Sequence, residues 1–182
     1  MTTATITTPA FAFPSKYSFP PFFTLQPVPA TRSAQLSIWS TLIQSYYRFH
    51  HLFRLVLVDA LDSPLLWNKD ISRRLGLKEA QEVVEWMVGE GRAEWCDGGK
   101  SRAWVYWKTP EEWAGVIGDW VEETGQKNTV LTLYELIEGE ATISQEFHGM
   151  DSELLQKSLN VLVKRGKAQV FGEEDSQGVK FY

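Results

Sequence analysis

Five residues in the middle of the chain recur at the same spacing 75 positions later. Val84, Met87, Val88, Gly91 and Ala93 correspond to Leu159, Leu162, Val163, Gly166 and Ala168. Both copies place apolar residues at helical spacing, then a glycine, then a basic residue and an alanine (Arg92-Ala93 and Lys167-Ala168). A glycine just past the last periodic residue closes a helix, because it accepts the left-handed backbone needed there. Each copy must therefore build a similar supersecondary unit, so the chain is read as a tandem repeat.

The flanking patterns define that unit. Leu36, Trp39, Leu42, Ile43, Tyr46 and Tyr47 form a helical stripe, capped at Thr31 or Ser33 and ending near His51. Residues 54–59 read as a short strand and Asp62-Ser63-Pro64 as a turn. A short helix is predicted from Asn68 or Lys69 to Leu75, and another from Lys78 to Gly89 with Ala80, Val83, Val84 and Met87 inward. Residues 92–96 and 102–107 then form a hairpin turned by Asp97-Gly98-Gly99. Helix, strand, two helices and a hairpin is the order of a winged-helix domain.

The order repeats. Pro110 opens a helix carrying Trp113, Val116, Ile117 and Trp120. A strand at 129–131 and a short helix at 132–137 follow, then a linker containing Gly139. Asp151 or Ser152 caps the repeated helix, with Leu155, Leu159, Leu162 and Val163 inward. Strands at 168–171 and 179–182 close a second hairpin. The expected fold is α+β, mostly α: two tandem winged-helix domains at 31–108 and 109–182. A Pro/aromatic strip at 17–30 and a disordered extension at 1–16 precede them.

The strip contains Phe19-Pro20-Pro21-Phe22-Phe23-Thr24-Leu25-Gln26-Pro27. Adjacent prolines fix φ and remove backbone donors, which argues against a helix or inner strand and for an extended polyproline II backbone. Its apolar surface must fold back onto its own body or enter a partner. Each domain behind it has enough apolar residues for its own core, so outward docking is expected.

Charge divides at the domain boundary. Residues 1–108 hold 12 Lys/Arg and 9 Asp/Glu, a formal +3, while residues 109–182 hold 6 and 14, a formal −8. An acidic domain repels phosphate and attracts basic protein surfaces, and a merely solvated face reads the same way. All eight Trp lie between Trp39 and Trp120. Cys96 is the single cysteine, which excludes an internal disulfide and a Cys-rich zinc site. No run of eighteen apolar residues is present and no secretory signal pattern opens the chain.

Chemistry-bearing motifs are lacking. His50 and His51 have no spaced Cys, Asp or Glu that would complete a metal set, and Glu146-Phe147-His148-Gly149 matches no ligand motif. There is no phosphate-cradling glycine loop and no Gly-x-Ser-x-Gly elbow. The acidic pairs Glu111-Glu112 and Glu122-Glu123 sit on a helix surface, where solvation explains them. The reading is a non-enzyme with no cofactor, no metal and no catalytic residue. DNA binding is the rival, since winged helices read grooves with this helix. Yet the helix of the first domain offers Glu79, Glu82 and Glu85, with Glu90 just beyond, against Lys78 alone. No nucleic-acid partner is expected, and a tandem winged-helix DNA-binding or transcription-complex scaffold is the alternative.

Tyr17-Ser18 leading into the strip, Thr31-Arg32, Glu94-Trp95, Pro110-Glu111-Glu112-Trp113, Gly125-Gln126, Thr132-Leu133-Tyr134-Glu135-Leu136, Glu146-Phe147-His148-Gly149 and Gly178-Val179-Lys180-Phe181 occur in this order. From about residue 17 onward the chain resembles the vacuolar protein-sorting-associated protein 25 family, the small subunit of the ESCRT-II endosomal sorting complex. The resemblance implies a non-enzymatic adaptor in sorting of ubiquitinated cargo into multivesicular bodies. It implies docking of Phe19, Pro20, Pro21, Phe22 and Phe23 onto two larger ESCRT-II winged-helix subunits. It also implies that the acidic second domain binds the basic N-terminal helix of the first-acting ESCRT-III subunit. No short motif marks that surface; Glu173, Glu174 and Asp175 are candidates, though a solvated wing explains them as well. The implied location is cytoplasmic and peripheral at the endosome membrane through the complex, with no direct membrane insertion.

Overall fold

The computed structural model describes residues 9–173 and 176–182 of the 182. The first eight residues, expected within a disordered extension, lie outside the described residues, as do the loop candidates Glu174 and Asp175. Two winged-helix domains follow one another, each a small helical set closed by a three-stranded antiparallel sheet.

The first domain opens with two 3-10 turns, Ser15–Ser18 and Pro20–Phe23, and the long helix α1 (Pro29–Phe49). Pro29 stands at the first helical position and Val28 precedes it, so the helix starts ahead of the Thr31 and Ser33 expected to cap it. Strand β1 (Arg54–Val56), the one-turn helix α2 (Leu57–Ala60), β2 (Trp67–Asn68), β3 (Arg73–Arg74) and α3 (Leu77–Gly89) follow. The wing is β4 (Ala93–Trp95) and β5 (Arg102–Val105), and the sheet order is β1-β5-β4.

Two local expectations are corrected. The strand predicted over 54–59 stops at Val56, because pairing with β5 ends where Val56 meets Arg102. Beyond that the chain turns into α2 despite β-branched Val58. The helix predicted over 68–75 is a two-stranded hairpin of β2 and β3, with Leu75 N–H donating to Leu66 O at 2.9 Å. Asn68 decides this: its Nδ2 donates to Tyr17 O at 2.8 Å and its Oδ1 accepts from Asp70 N–H at 3.1 Å. Tertiary anchoring overrides local propensity here.

The second domain contains α4 (Pro110–Glu123), β6 (Val130–Thr132), α5 (Leu133–Glu138), a 3-10 turn at Glu140–Thr142, α6 (Ser152–Lys164), β7 (Ala168–Phe171) and β8 (Gly178–Phe181). Its sheet order is β6-β8-β7. The repeated residues make the same bonds in both domains. Gly91 N–H reaches Val88 O at 3.1 Å and Arg92 N–H reaches Met87 O at 2.8 Å. Gly166 N–H reaches Val163 O at 3.0 Å and Lys167 N–H reaches Leu162 O at 2.9 Å. Both glycines have positive φ, 74° and 71°, the helix-closing geometry that the repeat implied.

Residues 106–109 join the wing of the first domain to α4. Thr109 caps α4 reciprocally: Glu112 N–H donates to its Oγ1 at 3.2 Å, and its own N–H donates to Glu112 Oε2 at 2.8 Å. One apolar cluster runs through both domains. Trp113, fully buried on α4, meets Trp107 edge-on at 4.9 Å and Phe53 at 6.1 Å, so the first domain's wing and the second domain's first helix share a core.

Candidate partner-binding surfaces

The Pro/aromatic strip does not stand apart from the first domain. Phe22 and Phe23 are 2% and 4% exposed and belong to its core. Phe22 stacks on Trp39 of α1, and Phe23 meets the same indole edge-on at 5.3 Å. Tyr17, also buried, donates its hydroxyl to Pro64 O and lies 5.7 Å from the Phe23 ring. The expectation that the domain's core is complete without the strip is therefore corrected. The inner face of α1 carries Trp39, and Phe22 and Phe23 cover its indole. Folding the strip back removes two phenyl rings and an indole from water, each ring contributing roughly 1.5–3 kcal/mol.

The backbone of the strip is corrected too. Pro20–Phe23 is a 3-10 turn rather than polyproline II. The two prolines occupy the first two positions, where no N–H is needed and φ suits the turn. The bonds that close it come from Phe22 N–H to Phe19 O at 3.0 Å and Thr24 N–H to Pro21 O at 3.2 Å. Gln35 of α1 holds the turn from outside, its Nε2 donating to Pro21 O at 3.1 Å and its Oε1 accepting from Gln26 N–H at 2.8 Å. Residues 9–16, expected to be disordered, pack as well: Phe13 stacks on Tyr17 at 3.9 Å and Phe11 meets Tyr46 at 5.3 Å.

The five candidate residues thus divide into two layers. Phe22 and Phe23 face inward. Phe19 is half exposed, Pro21 is exposed and Pro20 lies between. Phe19, Pro21, Gln35 and Ile38 help to line a groove of about 330 Å³ against α1, with Lys16 lying over the Phe19 ring at 5.2 Å.

In the second domain, the segment from α5 onward carries exposed apolar side chains among acids. Tyr134 is 67% exposed and Ile143 65%, with Glu135, Glu138 and Glu140 between them. Leu133, Leu136 and Ile137 of the same helix are buried. Sequence reading missed this face; its signal was Tyr134 falling off the inward stripe of an otherwise apolar run. Glu173 is exposed at the wing, distant in sequence from this segment.

Part of the acidic charge is used between the domains. Arg54 of β1 pairs with Asp151 at 2.9 Å, and Lys108 and Arg48 pair with Glu146 at 2.9 and 3.4 Å. These cations hold the Glu146 carboxyl below its ordinary value, chiefly through the Lys108 hydrogen bond. Acids on α3, the helix that a DNA-binding reading would place in a groove, are also engaged internally. Glu82 pairs with Arg32 and Glu85 with Lys100, while Glu90 just beyond the helix accepts from Ser40 at 2.9 Å. Cys96 is half-buried, and burial pushes its thiol up. No group of His, Cys, Asp and Glu among the described residues could hold a metal, and no described helix is long and apolar enough to cross a membrane.

The family model for ESCRT-II complex subunits matches residues 16–151. Vacuolar protein-sorting-associated protein 25 of Xenopus laevis is 46% identical over 172 residues, covering 94% of this chain and 99% of the relative. The Homo sapiens protein of the same name is 42% identical, covering 95% and 98%. Among solved structures, the VPS25 subunit of the endosomal trafficking complex ESCRT-II superposes with a TM-score of 0.83 at 31% identity, over 93% of this chain and 98% of that one. A chain of the ESCRT-II complex VPS22/VPS25/VPS36 superposes with a TM-score of 0.81 at 32% identity, over 92% and 98%. With its family model matching more than half its length and its relatives matching nearly all of it, the chain belongs to the family of ESCRT-II complex subunits, structural members of an assembly and not enzymes.

Proposed function

We propose that this chain is the small adaptor subunit of an ESCRT-II-type endosomal sorting complex, acting in sorting of ubiquitinated cargo into multivesicular bodies. It works at the cytoplasmic face of the endosome, held there by the complex. The observation that carries the reading is its near-complete superposition on a chain of the solved VPS22/VPS25/VPS36 assembly.

In this reading the N-terminal region docks onto two larger winged-helix subunits. Phe22 and Phe23 serve as anchors beneath the surface and set the Pro20-Pro21 turn. Phe19, Pro20 and Pro21, with the adjoining groove on α1, make the contact. A stiff turn already held by Gln35 loses little freedom on docking, which favours affinity. The test is pull-down of the larger subunits with Phe19→Ala and Pro21→Ala together. Assembly at the level of the unaltered chain would sink the assignment.

The second domain receives the basic N-terminal helix of an ESCRT-III subunit. Its acidity and the exposed Tyr134 and Ile143 among Glu135, Glu138 and Glu140 support an amphipathic basic partner. Exposed charge pairs are screened, so binding weakens as salt rises. Titrating the full chain with such a helix at two ionic strengths, with Tyr134→Ala and Ile143→Ala alongside, tests both parts. Affinity indifferent to salt and to both substitutions would remove this surface from consideration.

A further inference from the structure

The loop Glu146-Phe147-His148-Gly149 belongs to the second domain, yet two of its residues reach into the first. Glu146 binds Arg48, near the end of α1, and Lys108, in the junction. One turn of chain later, His148 O accepts from the His51 ring, Nε2 to O 2.6 Å. His51 is placed for this by a left-handed backbone, φ 56°, just past the end of α1, and its ring rests against Phe53 at 5.1 Å and Trp107 at 5.9 Å.

The loop itself is stiff. Phe147 is fully buried and meets Trp120 of α4 edge-on at 5.8 Å. His148 Nδ1 lies 3.0 Å from Thr142 Oγ1, and Gly149 N–H donates to Ile137 O at 2.6 Å. A rigid projection of one domain is thus clasped by three side chains of the other. A separate set of pairs joins the first domain's sheet to α6: Arg54 with Asp151 and Glu153, and Glu94 with Lys157. The shared Trp113 adds apolar burial to these polar contacts.

We propose that the Glu146–His148 loop is an electrostatic brace that fixes the angle between the two winged-helix domains. Trp113 supplies the cohesion, and the brace adds to the Arg54 and Lys157 pairs a second directional hold on the orientation. Apolar burial is nondirectional, whereas ion pairs and a histidine–carbonyl hydrogen bond weaken as distance and angle depart from their optimum. The second domain's acidic face is thereby presented in a set direction. Arg48, His51 and Glu146 are exposed and Lys108 is half-buried, so salt screens part of the brace's hold.

The experiment is pulsed-dipolar distance measurement on the full chain, spin-labelled at Lys78→Cys on α3 and Lys164→Cys on α6 in a Cys96→Ala background. Both label sites are exposed. The parent is expected to give one narrow distance peak. Glu146→Lys, which sets like charge against Arg48 and Lys108, shifts or broadens that peak, and so does raising the salt. Glu146→Gln gives a smaller change and guards against misfolding, checked by near-ultraviolet dichroism. Glu138→Lys, the same charge change away from the brace, leaves the peak as in the parent. An unchanged peak in Glu146→Lys, or an equal disturbance from Glu138→Lys, overturns the brace.

Discussion

The Phe22 ring lies parallel to the Trp39 indole, 4.2 Å between centroids and 4° between planes, while Trp39 Nε1 donates to Phe22 O at 3.1 Å. One residue of the strip thus satisfies both the apolar face and the polar atom of the largest side chain on α1. Phe22→Ala is expected to cost about 3–5 kcal/mol of folding stability, measured by urea unfolding. Phe19→Ala changes the same quantity by no more than about 0.5 kcal/mol, since its ring is half in water. Equal losses would show that the two layers of the strip are not distinct.

Trp113 is the shared core of the two domains. Trp113→Ala is expected to lose about 3–5 kcal/mol and to separate the unfolding of the domains into two calorimetric transitions. A single transition merely shifted to lower temperature would mean that the polar pairs suffice to couple them.

The reciprocal cap at Thr109 holds the first turn of α4. Thr109→Ala should destabilise by about 1 kcal/mol, and Thr109→Ser should restore most of it, because the hydroxyl oxygen is the acceptor. Thermal melts of the two variants decide this. Equal melting temperatures would remove the cap's contribution.

Gly149 has φ 77°, a region that costs other residues about 1–2 kcal/mol. Gly149→Ala is expected to lose that amount through the backbone. An added Cβ meets only His51 Cδ2 at 4.0 Å, an ordinary contact, so steric clash adds nothing. Denaturant midpoints measure the loss, and an unchanged midpoint would show that the loop relaxes.

Acid should weaken the fold through Glu146 and Glu82. Both carboxyls titrate below their ordinary value of 4.5, Glu146 because of Lys108 and Arg48, Glu82 because of Arg32. A depressed carboxyl contributes its stability in full above the unfolded-state value and loses it as pH falls through the folded-state value. Stability should therefore decline below pH 4.5, and the decline should be shallower in Glu146→Gln. A parent and variant with parallel pH profiles would contradict this.

Elements stabilised by their own neighbours were legible. The glycine closures at Gly91 and Gly166, the periodic faces of α3 and α6, and the Asp97-Gly98-Gly99 turn are local patterns with local causes, although Val163, expected inward on α6, is exposed. The hairpin at Asn68 was not, because its deciding bond goes to Tyr17, fifty-one residues away. The acidic character of the second domain was plain, but the share of it spent on Arg48, Arg54 and Lys108 depends on partners brought together only by folding.

By itself the sequence determined a tandem pair of winged helices, since period, caps and turns are short-range properties of the chain. Tertiary structure alone decided which way Phe22 and Phe23 face. An apolar strip carries no instruction about where to be buried; that follows from which surface is left uncovered, and here it is the indole of Trp39. It also decided the angle between the domains, because ion pairs and a histidine contact linking residues nearly one hundred positions apart have no signature in local sequence.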